Sequence, residues 1–203
     1  MDGMNVEQVL ELFYEKINSV LFQGRLPVIT FAIRGDGRNK DGWGYEIHNG
    51  NYCIYLFEFC LYESMQEIYK NLLHQMIHIY NMENGNKDTS RGKQYHNNIY
   101  QKSAVLHGLK IVPDATYGCI TVGIEEDILR KIIYKDARKI LMNAIKQDII
   151  CSENQLYVCP ICSRTAKASA DVKLICGYCR VEMVKKKSLY GTRKKKIFHI
   201  IEK

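Results

Sequence analysis

Apolar residues in the stretch 5–23 recur at Val6, Val9, Leu10, Phe13, Ile17, Val20 and Leu21. Their spacing is close to the 3.6-residue period of an amphipathic helix with one buried face. The segment GRLP ends that helix, and the β-rich run at 28–35 reads as a strand. A polar, glycine-rich turn, DGRNKDG, leads into WGYEIH, and an Asn-Gly turn signal stands before YCIYLFEF. Three short strands in hairpin connection, hence an antiparallel sheet, are expected. Helical periodicity returns at 63–81 through Ile68, Leu72, Leu73, Met76, Ile77 and Tyr80, with Ser64 as N-cap. ENGNKDTSRG breaks it, and a second helix at 94–106 ends at Gly108 with His107 in its last turn. A glycine-containing segment after Pro113 precedes one further helix at 125–146, and a cysteine-rich ribbon begins near Tyr157. No repeat of solenoid length is visible. The pattern predicts an α+β chain divided at 1–112, 113–150 and 151–203: a helix, sheet and two-helix domain, a connecting helical segment, and a ribbon.

Two elements of that pattern carry metal chemistry. LLHQMIHIYN places His74 and His78 four residues apart, about 40° around a helix and about 6 Å along it. Both imidazoles can therefore reach one ion at the ~2.0 to 2.1 Å that zinc requires. The apolar setting favours this, because buried histidine nitrogens need partners. A catalytic zinc needs a third protein ligand and an open position. Six residues beyond His78 stands Asn84, which excludes the metzincin arrangement. The next histidine is His96, at the start of the second helix, and it reads equally as a third ligand or as an exposed helix residue.

The ribbon signal is stronger. Cys159, Cys162, Cys176 and Cys179 form C-x2-C-x13-C-x2-C, the spacing of a coordinatively closed four-thiolate structural zinc. Cys53, Cys60, Cys119 and Cys151 show no pairing pattern and read as buried small hydrophobes.

LFQGRLP, the three-strand run, LLHQMIHIYN, a histidine followed four residues later by an aromatic, and a C-terminal cysteine ribbon together resemble the SprT-like (Spartan-type) zinc metallopeptidase family. The likeness covers roughly 5–112 plus the ribbon. It implies a minimal zincin-like domain in which His74, His78 and His96 hold a catalytic-type zinc, with Tyr100 as the aromatic. It also implies a DNA-associated role with proteins trapped on DNA as substrates. Asn97 replaces the family's glycine, and Gln75 stands in the general-base position that the family fills with glutamate. Glutamine can hydrogen-bond water but cannot accept its proton, and loss of a general base costs about 10² to 10⁴ in rate. Glu67 lies about 10 Å along the helix from Gln75's neighbours, too far to substitute; Glu83, read as lying in the following loop, stays open. The chain is thus expected to be an impaired peptidase or, alternatively, a non-enzymatic, zinc-stabilised nucleic-acid-binding protein, with two zinc ions per chain in either case.

Charge changes the picture only at one end. The net charge is +7, yet residues 151–203 hold 12 Lys/Arg against 4 Asp/Glu and residues 1–150 hold 17 against 18. All the excess sits in the tail, where Lys185, Lys186, Lys187, Arg193, Lys194, Lys195 and Lys196 flank Tyr190. Such a block suits the phosphates of nucleic acid, most simply DNA. A hydrophobic fraction of 46% excludes a disordered chain. No apolar run approaches the ~20 residues of a membrane span, and the start lacks a signal-peptide pattern, so a cytoplasmic location with no membrane partner is expected.

Overall fold

The computed structural model describes residues 3–35, 42–90, 95–152, 154–169 and 173–185. The chain is mixed α+β, with five α-helices and several small sheets among the described residues. Two compact units divide it, Met1–Ile145 and Lys146–Lys203, so the boundary expected at 112 falls inside the first unit.

The first helix, α1 (Val6–Leu21), starts at a reciprocal cap in which Asn5 Oδ1 accepts from the Gln8 backbone and Gln8 Oε1 accepts from the Asn5 backbone. It buries Val9, Leu10, Phe13 and Ile17 completely, as its period requires. Strands β1 (Ile29–Arg34), β2 (Trp43–His48) and β3 (Asn51–Phe57) form a sheet in the order β1-β3-β2. β2 and β3 are the antiparallel hairpin expected around Asn49-Gly50, both in the left-handed region that such a turn needs. β1, however, pairs with β3 in parallel, which corrects the all-antiparallel expectation. The reason lies in β3: Tyr52, Ile54, Leu56 and Phe57 are buried, with Cys53 and Tyr55 half-buried. A strand apolar on both faces takes the centre of a sheet, leaving β2 as an outer strand.

Helix α2 (Met65–Glu83) is capped by Ser64, whose hydroxyl accepts from the Glu67 backbone. Ile68, Tyr69, Leu72, Leu73, Met76 and Ile77 on this helix are all fully buried. Two short strands, β4 (Thr89–Ser90) and β5 (Tyr95–His96), pair before α3 (Asn98–Leu106). His96 therefore precedes the helix that was expected to carry it.

Strands β6 (Leu109–Asp114) and β7 (Gly118–Ile124) form an antiparallel hairpin where only a glycine-containing segment was read. Asp114 closes it, accepting from the backbones of Thr116 and Tyr117 at 2.8 Å each. The single helix expected at 125–146 is two, α4 (Glu126–Ile132) and α5 (Ala137–Ser152). Tertiary contacts win over periodicity at the break: Lys16 Nζ donates to the Ile133 carbonyl at 3.2 Å and lies 4.3 Å from the centre of the Tyr134 ring. No described helix is long and apolar enough to cross a membrane.

The second unit contains β8 (Asn154–Val158), β9 (Thr165–Ser169) and β10 (Val184–Lys185) in the order β10-β8-β9. Its buried core is small: Tyr157, Cys159, Cys176 and Met183.

Candidate metal centre

Two elements supply the histidine cluster. α2 supplies His74 and His78 one turn apart, and β5 supplies His96. The Nε2 atoms of His74 and His78 lie 3.1 Å apart, and those of His78 and His96 3.2 Å apart. Three nitrogens at the corners of a zinc tetrahedron with ~2.05 Å bonds would stand ~3.3 Å apart, so the spacing fits.

The other ring nitrogens fix the tautomers of His78 and His96. His78 Nδ1 lies 2.8 Å from Asp88 Oδ2, and His96 Nδ1 lies 3.1 Å from the carbonyl oxygen of Cys119. A carboxylate and a carbonyl only accept, so both Nδ1 atoms carry hydrogen and both Nε2 atoms of the neutral rings point lone pairs at each other. That arrangement is repulsive until a cation stands between them. His74 Nδ1 meets the hydroxyls of Tyr100 at 2.6 Å and Thr121 at 3.0 Å, which also bond each other at 3.0 Å. Burial, followed by repulsion from His78 and His96, holds His74 well below the usual imidazole range, keeping its ring neutral; its hydroxyl partners can donate or accept, so they are compatible with the tautomer that offers Nε2 to a metal.

A buried polar scaffold supports this set. Asp88, 5% exposed, also accepts from Asn81 Nδ2 at 2.9 Å, and Asn81 Oδ1 accepts from Ser103 Oγ at 2.6 Å. Asn97 caps α3 through its Oδ1, while its backbone donates to the Asp88 carbonyl and its Nδ2 to the Lys87 carbonyl. Asn97 thus ties the segment that carries His96 to the Asp88 loop. The fully buried Tyr100 ring packs against all three imidazoles, and Tyr45 of β2 stacks on His78 at 5.6 Å. The His96 backbone donates to the Tyr117 carbonyl, and a Cβ on Gly118 would stand 2.1 Å from the His96 oxygen. Only glycine permits that approach, and at φ +74° it is also the residue that the backbone prefers.

Gln75 is 7% exposed, and its side chain makes no hydrogen bond with a described residue. The only sealed, unpartnered side-chain polar atom among the described residues is Trp43 Nε1, so solvent reaches the Gln75 amide through an opening. Neither carboxylate considered as a substitute base serves. Glu83 is the last residue of α2 rather than part of a loop, and it accepts from the Tyr52 hydroxyl at 2.7 Å. Glu67 is bonded to Lys70. Asp88 lies behind His78, committed to Nδ1.

Asp88, Thr121 and the Cys119 carbonyl were not read from the sequence as parts of this site; Tyr100 was read as its aromatic, without the hydroxyl's bond to His74. An acid in the loop after a metal-binding helix was a usable signal for Asp88. Nothing local marks Thr121, which arrives only because the β6/β7 hairpin folds onto α2.

In the second unit, the sulfurs of Cys159, Cys162, Cys176 and Cys179 lie within 4.8 Å of one another. Cys162 and Cys176 are 3.7 Å apart, against ~3.8 Å for a tetrahedron of 2.3 Å zinc–sulfur bonds. Each cysteine pair is turned by a matching loop ending in a left-handed residue, Ser163 or Arg180. Backbone N–H groups of Cys162 and Ile161 draw the Cys159 thiol down to about 7, whereas burial and then the neighbouring sulfurs push Cys179 up to about 12. The four sulfurs are placed to hold one cation, which would take them as thiolates. Cys60 and Cys119 are buried, as expected of small hydrophobes, and Cys53 is half-buried; the Cys151 side chain lies outside the described residues.

Of the basic tail, Lys185 ends β10, and Lys186, Lys187, Arg193, Lys194, Lys195 and Lys196 lie outside the described residues. Comparison of the chain with protein-family models, with curated proteins and with solved structures gives no match.

Proposed function

We propose that this chain is a zinc protein of the SprT-like metallopeptidase type, directed to DNA-associated proteins and impaired in peptide hydrolysis because Gln75 occupies the general-base position. The observation that carries the reading is the convergence of the Nε2 atoms of His74, His78 and His96, each ring backed at Nδ1 by an oxygen. A second zinc at the four cysteines holds the ribbon, and thiolate ligands suit a reducing, cytoplasmic setting. When bound, zinc supplies Lewis acidity, polarising a carbonyl and lowering the pKa of water.

The remaining chemistry belongs to side chains. Asp88 and Cys119 O hold the rings of His78 and His96 in the tautomer that offers Nε2, and the Tyr100/Thr121 hydroxyls can accept from His74 Nδ1 to do the same. Outer strand β2, whose Tyr45 stacks on His78, offers an edge beside the site to which an extended peptide can add by main-chain hydrogen bonds. Gln75 can orient a polar group by hydrogen bonding and cannot take up a proton. The lysine-rich tail supplies salt-sensitive attraction to phosphates.

The alternative, a non-enzymatic zinc-stabilised nucleic-acid-binding protein, is favoured by one observation: Glu67, Glu83 and Asp88 are all engaged elsewhere. DNA-stimulated cleavage of a basic DNA-binding protein, assayed for this chain and for Gln75→Glu, separates the two. Cleavage by the Gln75→Glu chain supports the peptidase reading; cleavage by neither, with both zinc ions present, sinks it.

A further inference from the structure

The unpartnered amide of Gln75 has a consequence beyond lost hydrolysis. Gln75 stands three residues before His78, a spacing that sets two side chains next to each other on a helix. Its amide is nearly buried, lacks a protein partner and reaches solvent only through an opening. Water at the opening can pair with such an amide, and a ligand that displaces the water must replace its hydrogen bonds. A zinc ion held by three neutral imidazoles carries two uncompensated positive charges at such an opening. A glutamate at position 75 would cancel one of them and would repel any anion approaching the metal; glutamine cancels none and adds an N–H donor. Asp88, the nearest carboxylate behind the rings, is spent on His78 and Asn81.

We infer that the histidine centre is a carboxylate receptor: it binds the free carboxylate of a peptide, with the anion at the metal's open position and Gln75 Nε2 donating to it. This rests on the zinc reading above. The ligand chemistry is shared by two sources, a chain terminus and an Asp or Glu side chain.

The test uses the full chain loaded with zinc, with metal content measured first. Calorimetric titrations then compare acetate, a short peptide ending in a free carboxylate, the same peptide ending in an amide, and an amidated peptide with an internal glutamate. The free-acid peptide is expected to bind on the order of tenfold or more tighter than the neutral amide. Gln75→Glu is expected to keep both zinc ions and to weaken acetate and the free-acid peptide by a similar factor. Tight binding of the internal-glutamate peptide assigns the receptor to side chains; its failure to bind, beside a tight free-acid peptide, assigns it to chain ends. Equal binding of acid and amide, or equal or tighter binding by Gln75→Glu, overturns the inference while leaving the zinc site standing. Absence of zinc at the histidines removes the underlying reading as well, and the metal analysis reveals that case before any titration.

Discussion

Replacing Asp88 by asparagine changes one charge and almost no volume, which isolates what the carboxylate does for His78. The carboxylate accepts from His78 Nδ1 at 2.8 Å and Asn81 Nδ2 at 2.9 Å inside a residue that is 5% exposed. Hydrogen bonds to a charged partner contribute about 1.5–3 kcal/mol, against about 0.5–1.5 for neutral ones. The difference, about 1 to 1.5 kcal/mol, corresponds to roughly tenfold in zinc affinity, the lower end of the 10–100-fold typical of such supporting carboxylates. Both donors meet the same oxygen, Oδ2, so an asparagine that keeps its oxygen there retains both bonds and loses the charge alone. Competition with a graded series of chelators reads the affinity, and the four-cysteine zinc serves as internal reference. An Asp88→Asn chain whose histidine site holds zinc as tightly as the parent would refute the reasoning, as would equal weakening of the cysteine site.

Three further outcomes follow from other contacts. Gly118→Ala introduces a Cβ 2.1 Å from the His96 carbonyl oxygen at φ +74°, so metal analysis should find zinc lost from the histidine site and retained at the cysteines. His107, buried against Phe22 and Tyr80, is held below the usual imidazole range by burial, although its bond to the Ser103 carbonyl pulls the other way. The unfolded chain therefore binds the proton more readily, and His107 should subtract stability as pH falls through the unfolded value of ~6.5, levelling off below the folded one. Urea midpoints at pH 7.5 and 5 should diverge less in His107→Gln than in the parent. Chelation of the ribbon zinc should abolish amide-exchange protection across 154–185 while α1 and α2 stay protected, because the ribbon's own core is only Tyr157, Cys159, Cys176 and Met183.

The sequence was most readable where one residue type does one physical job. Strict helical spacing made α1 and α2 visible, Asn49-Gly50 marked its hairpin, and the four cysteines declared their cluster by spacing alone. His74 and His78 were legible because four residues make one helical face. What escaped depended on distant partners. β3 had to be seen as apolar on both faces before β1 could be placed parallel to it. Pro113 inside β6 disguised a hairpin whose real signal was Asp114 and Gly118. The helix break at 133–136 exists because Lys16, over a hundred residues away, captures the Ile133 carbonyl. Thr121 reaches His74 for the same kind of reason, since pairing between strands carries no mark at the position that benefits.

The central claim is that three imidazoles from α2 and β5 share one metal ion. Native mass spectrometry of the zinc-loaded chain beside a His74→Ala, His78→Ala double variant addresses it directly. The account expects two zinc ions in the parent and one in the variant, with the remaining ion lost only when the cysteines are altered. A parent chain that carries a single zinc, unaffected by the histidine changes, would contradict it.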